Sequence, residues 1–366
     1  MSDITLPESD AVANARRSME VCNACRYCEG YCAVFPAMEL RREFSAVDLG
    51  YLANLCHGCR ACFYACQYAP PHQFGVNLPQ QFSEVRAESY VAYAWPQPLA
   101  RLFRRNGTVL SIAAALGVAL LLVLVAVLQD SAVLFGSHTG PGAFYRVIPL
   151  WLMVTVASVT FLYALLAMGL SVLRFWRAEE PLANAAPGAL WTGLRDALTL
   201  RYLGGGGHGC NDTDGGFSDT KRRLHHAMFY GFMFCFAATT VAAIYQDIFG
   251  WAAPYGLLSV PVVLGTLGGA GMVVGGVGMI WLKVIGDAEP AARRVLGGEY
   301  ALLFLLVLVA ATGLLLLMLR ATPAMGIALA VHLGFVLALF LLMPYSKFVH
   351  GLYRAVALWR AARERK

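Results

Sequence analysis

Charged residues are scarce in this chain. Asp, Glu, Lys and Arg make up 14% of its 366 residues, whereas hydrophobic residues make up 58%. Soluble globular domains carry about 25% charged residues, so this composition excludes an ordinary soluble protein of this size. The first twenty residues also lack the long apolar run of a secretory signal peptide. We therefore expect the cysteines to lie in the reducing cytosol, where disulfide bonds are unexpected.

Two copies of one spacing account for eight of the ten cysteines. The spacing Cys-x2-Cys-x2-Cys-x3-Cys occurs twice, at Cys22, Cys25, Cys28 and Cys32, and at Cys56, Cys59, Cys62 and Cys66. Bacterial ferredoxins hold cubane iron–sulfur clusters with this run, and the fourth cysteine of each run ligates the other cluster. We therefore predict two [4Fe–4S] clusters. Cys66 completes the first cluster and Cys32 completes the second.

Zinc is the alternative cofactor for Cys-x2-Cys pairs, but it has no use for a third cysteine at the same spacing. The bacterial run ends in Cys-Pro, whereas Ala33 and Gln67 stand there in this chain, which leaves cluster type and crossed ligation open. His57, within the second run, is expected to be a solvated loop residue, with a role in tuning a cluster as the alternative. Cys210, in a glycine-rich loop, is expected to be structural, and the loop to cover the clusters or dock a partner.

Six apolar stretches are long enough to cross a bilayer, which takes about 20 residues each. They span residues 108–128, 147–173, 224–246, 257–282, 301–319 and 323–346. The fourth is the least typical because it is rich in glycine, which permits close helix packing or a cofactor approach. The predicted fold is mainly α: a six-transmembrane-helix bundle (residues 101–366, with a cytoplasmic loop at 178–223). An N-terminal cytosolic two-cluster ferredoxin-like α-helical domain (residues 1–100) precedes it.

Lysine and arginine predict the orientation of these stretches. They concentrate before the first and third stretches and after the second, fourth and sixth. Because cytoplasmic loops are enriched in these residues, both termini and the clusters are predicted on the cytoplasmic side of the inner membrane. The net charge of +6 mostly reflects this bias toward the anionic lipid surface, and nucleic-acid binding is not expected.

Four histidines are candidate ligands of a b-type haem. His225 and His226 open the third stretch, and His350 lies near the same cytoplasmic boundary. Axial histidines from two helices commonly hold haem in helical bundles, and only one of two adjacent helical residues can face the iron. His332 and His350 are 18 residues apart and would share a face of one continuous helix. No histidine stands opposite His332, so we predict one haem and a hydrogen-bonding core role for His332, or an empty second site.

Two segments resemble the nitrate reductase gamma subunit family, a dihaem quinol oxidase. They are residues 332–359 and the start of the third stretch, with His226 and Gly231. The resemblance implies His226 and His350 as the haem ligands, with His225 and His332 as alternatives. It also implies that Lys283 lies near a quinone. The second histidine that the family carries ten residues further on is absent here, which supports one haem.

A closer resemblance covers nearly the whole chain. The segments CNACRYC, CAVFPAMEL, YLANLCHGCRACFYACQYAPPHQFGVNLP, GGGGHGC and RRLHHAMFYGFMFCFAATT are similar to the tricarballylate- or citrate-utilisation protein B family. The resemblance implies a redox subunit of an oxidoreductase. It would take electrons from a soluble FAD-dependent tricarballylate-type dehydrogenase and pass them to the membrane quinone pool. The alternatives are a quinol-oxidising subunit that feeds a soluble reductase and a cluster-based membrane sensor.

Overall fold

The computed structural model describes residues 6–102, 106–178 and 188–364. These residues form α-helices joined by turns and short 3-10 segments, and they contain one isolated β-bridge, between Cys210 and Ser218, and no strand. The mainly α fold class expected from the sequence is confirmed.

Six helices precede the membrane bundle. They are α1 (Asp10–Cys25), α2 (Val34–Glu39), α3 (Ala46–Leu55), α4 (Ala61–Tyr64), α5 (Leu78–Tyr93) and α6 (Gln97–Leu102). The sequence caps two of them: the backbone N–H of Val12 donates to Ser9 Oγ at the start of α1, and Ser45 and Asp48 form a capping box at the start of α3. Helices α1, α3 and α5 pack on one another through buried apolar side chains and so fix the segments that carry cysteine.

Six further helices are long and apolar enough to cross a membrane, as the sequence predicts. They are α7 (Asn106–Leu128), α10 (Leu150–Ala178), α12 (Thr220–Asp247), α13 (Val260–Ile285), α14 (Arg293–Leu319) and α15 (Met325–Leu342). Short helices connect or follow them: α8 (Ser131–Leu134), α9 (Ala143–Val147), α11 (Ala189–Leu198) and the terminal α16 (His350–Glu364). The glycine-rich fourth stretch forms a continuous helix, α13, long enough to cross a membrane.

The spanning helices form a ring. Helix α14 contacts α7, α13 and α15, while α15 also contacts α7 and α10, and α12 packs mainly on α13. Phe161 of α10 closes the ring, because its ring centre lies 5.6 Å from that of Phe236 on α12 and 5.2 Å from that of Phe340 on α15. The bundle is therefore held by apolar side-chain packing over its whole circumference.

Glycines bring α12 and α13 into close contact. A Cβ atom on Gly275 would lie 2.5 Å from the backbone nitrogen of Met228 and 2.6 Å from the carbonyl oxygen of Leu224. Gly231 and Gly268 meet the facing helix backbone at similar distances. Small residues allow this approach because no side chain separates the two backbones. Of the two roles that the sequence left open for these glycines, the structure shows helix packing.

Gly275→Leu is expected to lower the thermal midpoint of the detergent-solubilised protein strongly. The new side chain would meet backbone atoms that cannot move aside, and overpacking costs about 1–3 kcal/mol or more. Gly169→Leu is the matched control, since a Cβ at Gly169 meets nothing within 4 Å. Thermal unfolding followed by circular dichroism measures both variants. Equal midpoints for the two would contradict the close packing of α12 on α13.

The sixth span does not continue as one helix to His350. Helix α15 ends at Leu342, two 3-10 segments follow, and α16 begins at His350. Pro344 lacks the backbone N–H that a continuing helix needs, and the extended Ser346 lets the chain change direction. The prediction that His332 and His350 share one helix face is therefore wrong.

The N-terminal helices lie at one end of the bundle together with the loop after α13 and the terminal helix α16. Arg60 Nη1 donates to the carbonyl oxygen of Asp287 at 3.1 Å, and Tyr64 donates to the Asp287 carboxylate at 2.6 Å. Helix α16 packs against α3 and α11. The segments that the lysine and arginine bias assigns to the cytoplasmic side thus meet at one end of the helix bundle. Which side of the membrane this end faces stays a prediction.

Candidate iron–sulfur and haem sites

The first cysteine run surrounds a cavity of about 300 Å³. Arg26, with φ 56°, ends α1 in a left-handed conformation and turns the chain so that the run wraps around this space. Five cysteines line the cavity: Cys22, Cys25, Cys28, Cys62 and Cys66. Aromatic and aliphatic side chains, including Phe35 and Val76, form the remaining wall.

The fourth cysteine of the second run lies beside the first run. Burial, and after it repulsion from the nearby Cys66 thiolate, raises the pKa of Cys22 to about 12. Burial and the same Cys66 raise the pKa of Cys28 to about 12. Cys66 therefore stands where a fourth ligand to the first cluster is needed.

The fourth cysteine of the first run lies beside the second run. Burial, followed by repulsion from Cys59 and Cys56, raises the pKa of Cys32 well above its usual value. The pKa of Cys62 is raised in the same way by burial and then by Cys59 and Cys56. The last cysteine of each run thus lies near the other run, which is the arrangement that crossed ligation would require.

The thiols of the first run are spread around the cavity. In the part of the chain that is described, no three His, Cys, Asp or Glu side chains stand close enough to hold one metal ion. A cubane binds one thiolate at each of four iron corners, so its ligands are spread around a cavity instead of converging on one atom. The ten cysteines, all described, are free thiols.

The two runs differ in exposure. Tyr27, beside the first run, is 69% exposed, and Arg26 and Glu29 also face solvent. The second run contacts the end of the glycine-rich loop and the start of α12. The N–H of Asn211 donates to the Cys59 carbonyl oxygen at 2.9 Å, and Lys221 Nζ, on α12, donates to the Gly58 carbonyl oxygen at 3.1 Å. The residues between the first-run cysteines therefore face solvent, whereas Cys59 of the second run is buried and the other cysteines of both runs are half-buried.

Cys210 is a fully buried member of the glycine-rich loop. Its thiol donates to the carbonyl oxygen of Leu203 at 3.1 Å, and its backbone forms the bridge with Ser218. Burial raises the pKa of Cys210 to about 12. These contacts are those of a structural residue, as the sequence suggested.

His57 is enclosed, and the expectation of a solvated histidine is wrong. Its Nδ1 atom lies 2.8 Å from the Leu55 carbonyl oxygen, and its buried Nε2 atom has no hydrogen-bond partner among the described residues. Its ring centre lies 5.6 Å from that of Tyr202. Burial, and then the charge of Arg354, lowers the pKa of His57 well below its usual value, so the ring is neutral at pH 7.

His225 and His350 face each other where α12 and α16 begin. Their ring centres are 6.0 Å apart, with an interplanar angle of 76°. An imidazole nitrogen lies about 2.0 Å from a bound metal ion, so two axial imidazoles hold their ring centres about 6 Å apart across it. His350 Nδ1 lies 2.5 Å from the Lys347 carbonyl oxygen, the kind of contact that orients a ligating histidine. The ring-centre distance therefore agrees with the predicted haem ligation by two histidines, which stays a prediction.

His226 is turned away from this pair. Its ring centre lies 5.7 Å from that of Tyr230, whose hydroxyl donates to the Leu198 carbonyl oxygen of α11 at 3.0 Å. The structure thus brings His225 and not His226 to His350. The preference for His226 came from the family resemblance, whereas the choice depends on the rotation of α12 about its axis.

His332 has a partner within the bundle. Its Nδ1 atom lies 3.2 Å from Thr312 Oγ1 on α14, and a Cβ on Gly313 would lie 3.0 Å from its ring. This contact matches the hydrogen-bonding core histidine that the sequence suggested.

Lys283 is part of a buried charge cluster. The Glu299 carboxylate, in a side chain with a relative exposure of 8%, bridges the ammonium groups of Lys283 and Lys347. These contacts tie α13, α14 and the segment before α16 together. Glu299 escaped the sequence reasoning, although a lone acidic residue among apolar ones is a signal of a functional or ion-paired site.

Comparisons with known proteins show which family the chain belongs to. The family model described as citrate utilization protein B matches residues 101–366, and the one described as citrate utilization protein B Fer4-like domain matches residues 15–92. The curated citrate utilization protein B of Escherichia coli is 46% identical over 367 residues, which cover 99% of this chain and 94% of that protein. No solved structure matches the chain. The chain belongs to the citrate utilization protein B family.

Proposed function

We propose that this protein is a membrane electron-transfer protein of citrate or tricarballylate utilisation. It accepts electrons from a soluble FAD-dependent dehydrogenase of the tricarballylate type and delivers them to the quinone pool. The observation that carries the proposal is the position of two interleaved cysteine runs beside a facing histidine pair at one end of an apolar helix bundle. The Fer4-like match and the name of the Escherichia coli relative support an iron–sulfur redox role in this metabolism.

The chain would hold three redox groups. One [4Fe–4S] cluster would be ligated by Cys22, Cys25, Cys28 and Cys66. The other cluster would be ligated by Cys56, Cys59, Cys62 and Cys32, and one haem b would be ligated by His225 and His350. Each group supplies one-electron chemistry when bound. The protein contributes their order, their enclosure and their contacts with the partner.

The order follows from exposure. The first run faces solvent beside Tyr27 and suits the docking of a soluble flavoprotein. Cys59 of the second run is buried, and Arg354 connects the Cys56 carbonyl oxygen to α16, the helix that begins with His350. The second cluster therefore occupies the membrane-proximal position, between the partner and the histidine pair.

Quinone reduction at the same end is the final part of the proposal. Reduction of a quinone consumes two protons, and buried ionisable groups at membrane depth commonly mark such pathways. Lys283, Glu299 and Lys347 supply these groups next to the segment that carries His350. The lysine and arginine bias favours the cytoplasmic side of the inner membrane for this end, so the protons would come from the cytosol.

Anaerobic mixing tests the proposal. The reduced flavoprotein should reduce the haem of the full-length protein in detergent, and a quinone analogue should then reoxidise it, both followed by visible absorbance. Cys25→Ser is the control variant: it should block haem reduction by the flavoprotein and leave reduction by quinol intact.

Two other outcomes would contradict the proposal. Haem reduction by quinol but not by the flavoprotein would favour a quinol-oxidising subunit that feeds a soluble reductase. Cluster iron without any haem spectrum would favour a membrane-anchored sensor.

A further inference from the structure

We propose that Arg86 and Arg354 form a two-arginine site that positions the second cluster and raises its reduction potential. The inference rests on the proposed function, because it requires a cluster bound by Cys56, Cys59, Cys62 and Cys32. It concerns the protein environment of that cluster and not the cysteines themselves.

The two guanidinium groups converge on one carbonyl oxygen. Arg86 Nη1 donates to the Cys56 carbonyl oxygen at 2.6 Å and to the Ala53 carbonyl oxygen at 2.9 Å. Arg354 Nη2 donates to the same Cys56 oxygen at 2.8 Å. Arg86 lies on α5 and Arg354 on α16, so two elements far apart in sequence meet at the first cysteine of the second run.

Neither guanidinium forms an ion pair with a carboxylate in the part of the chain that is described. Arg41 and Arg360, two other enclosed arginines, both pair with Glu364. Arg86 has a relative exposure of only 6%, and two like charges at one oxygen repel each other. Buried charges need a counter-charge, and an iron cluster with its thiolate ligands is an anion at this place.

The expected effect on the cluster follows from charge. Reduction adds one electron to an already negative group, and nearby positive charges stabilise the reduced form. Enclosure of the second run acts in the opposite direction, because burial disfavours the more highly charged state. The charges of the two arginines offset this burial penalty, so that the second cluster can still accept an electron from the first cluster.

A haem carboxylate is the competing counter-charge. Arg354 follows His350 by four residues on α16 and so lies on the same face of that helix. Arg86 is on another helix, and the charges around the histidine pair come from Arg354 and Lys347. Substitution of Arg86 therefore distinguishes the second cluster from a haem carboxylate as the counter-charge.

The test is an EPR-monitored redox titration of full-length holoprotein in detergent. Arg86→Gln and Arg354→Gln should each lower the midpoint potential of the cluster whose signal is lost in Cys59→Ser and kept in Cys25→Ser. Arg86→Lys, which keeps the charge, should leave this midpoint close to the wild-type value. Arg174→Gln is the matched control, since Arg174 donates to the carbonyl oxygen of Ala94, which is not part of a cysteine run.

The outcomes separate the inference from the proposed function. Two intact clusters with unchanged midpoints in both Gln variants would overturn the inference and leave the proposed function standing. A lower haem midpoint with unchanged cluster midpoints would also overturn it, in favour of a haem carboxylate. Wild-type protein without cluster signals would overturn the proposed function itself. Loss of the second cluster in Arg86→Gln but not in Arg86→Lys would also support the inference, because the positive charge would then be needed for the cluster to bind.

Discussion

Replacing His350 by alanine is expected to remove the proposed haem from the purified protein. His350 faces His225 at a ring-centre distance of 6.0 Å, and loss of either imidazole leaves the iron with one axial ligand. His225→Ala should have the same effect. The haem content, about one per chain in the wild type for a single bis-histidine site, should fall to near zero in the pyridine haemochrome assay.

His226→Ala is the matched control, because it removes the adjacent imidazole from the same helix. It should retain the haem, since His226 packs beside Tyr230 instead of His350. His332→Ala should also retain it, because that ring bonds Thr312 within the bundle. Haem loss in His226→Ala with retention in His225→Ala would contradict the geometry and restore the ligand implied by the gamma-subunit resemblance.

Replacing Cys66 by alanine is expected to destroy the same cluster as replacing Cys25. In the proposed ligation the last thiol of each run, which lies near the other run, completes the cluster of that other run, and a cluster that loses one of four ligands is destabilised. Each single variant should lose about four of about eight cluster irons. EPR of the reduced protein should lack the same signal in Cys25→Ala and Cys66→Ala, and the other signal in Cys32→Ala and Cys59→Ala.

Cys210→Ala controls for the removal of any buried thiol near the second run. Cys210 bonds the backbone of its own loop, so both signals should remain. A different result would be that Cys66→Ala loses the same EPR signal as Cys59→Ala, and that Cys32→Ala loses the same signal as Cys25→Ala. Each run would then keep its own fourth cysteine. That result would reject the crossed ligation and leave two clusters in place.

The sequence by itself determined the local features of this protein. The cysteine spacing predicts clusters because three thiols, each separated from the next by two residues, are the ligand run of a cubane, whereas a zinc site has no use for the third. The apolar stretches predict the six long helices because a span must satisfy its backbone hydrogen bonds within itself. Their number holds in the structure, although Pro344 ends the last span before His350.

Only the tertiary structure decided which side chains meet. His225 and His226 are neighbours in sequence, and the close glycine packing of α12 on α13 fixes the rotation that turns His225 toward His350. The bond from Arg354 to the Cys56 carbonyl oxygen joins residues about 300 positions apart. Sequence periodicity shows which residues of a helix lie on the same face. The direction in which that face points depends on packing against other helices, and no local sequence pattern contains this information.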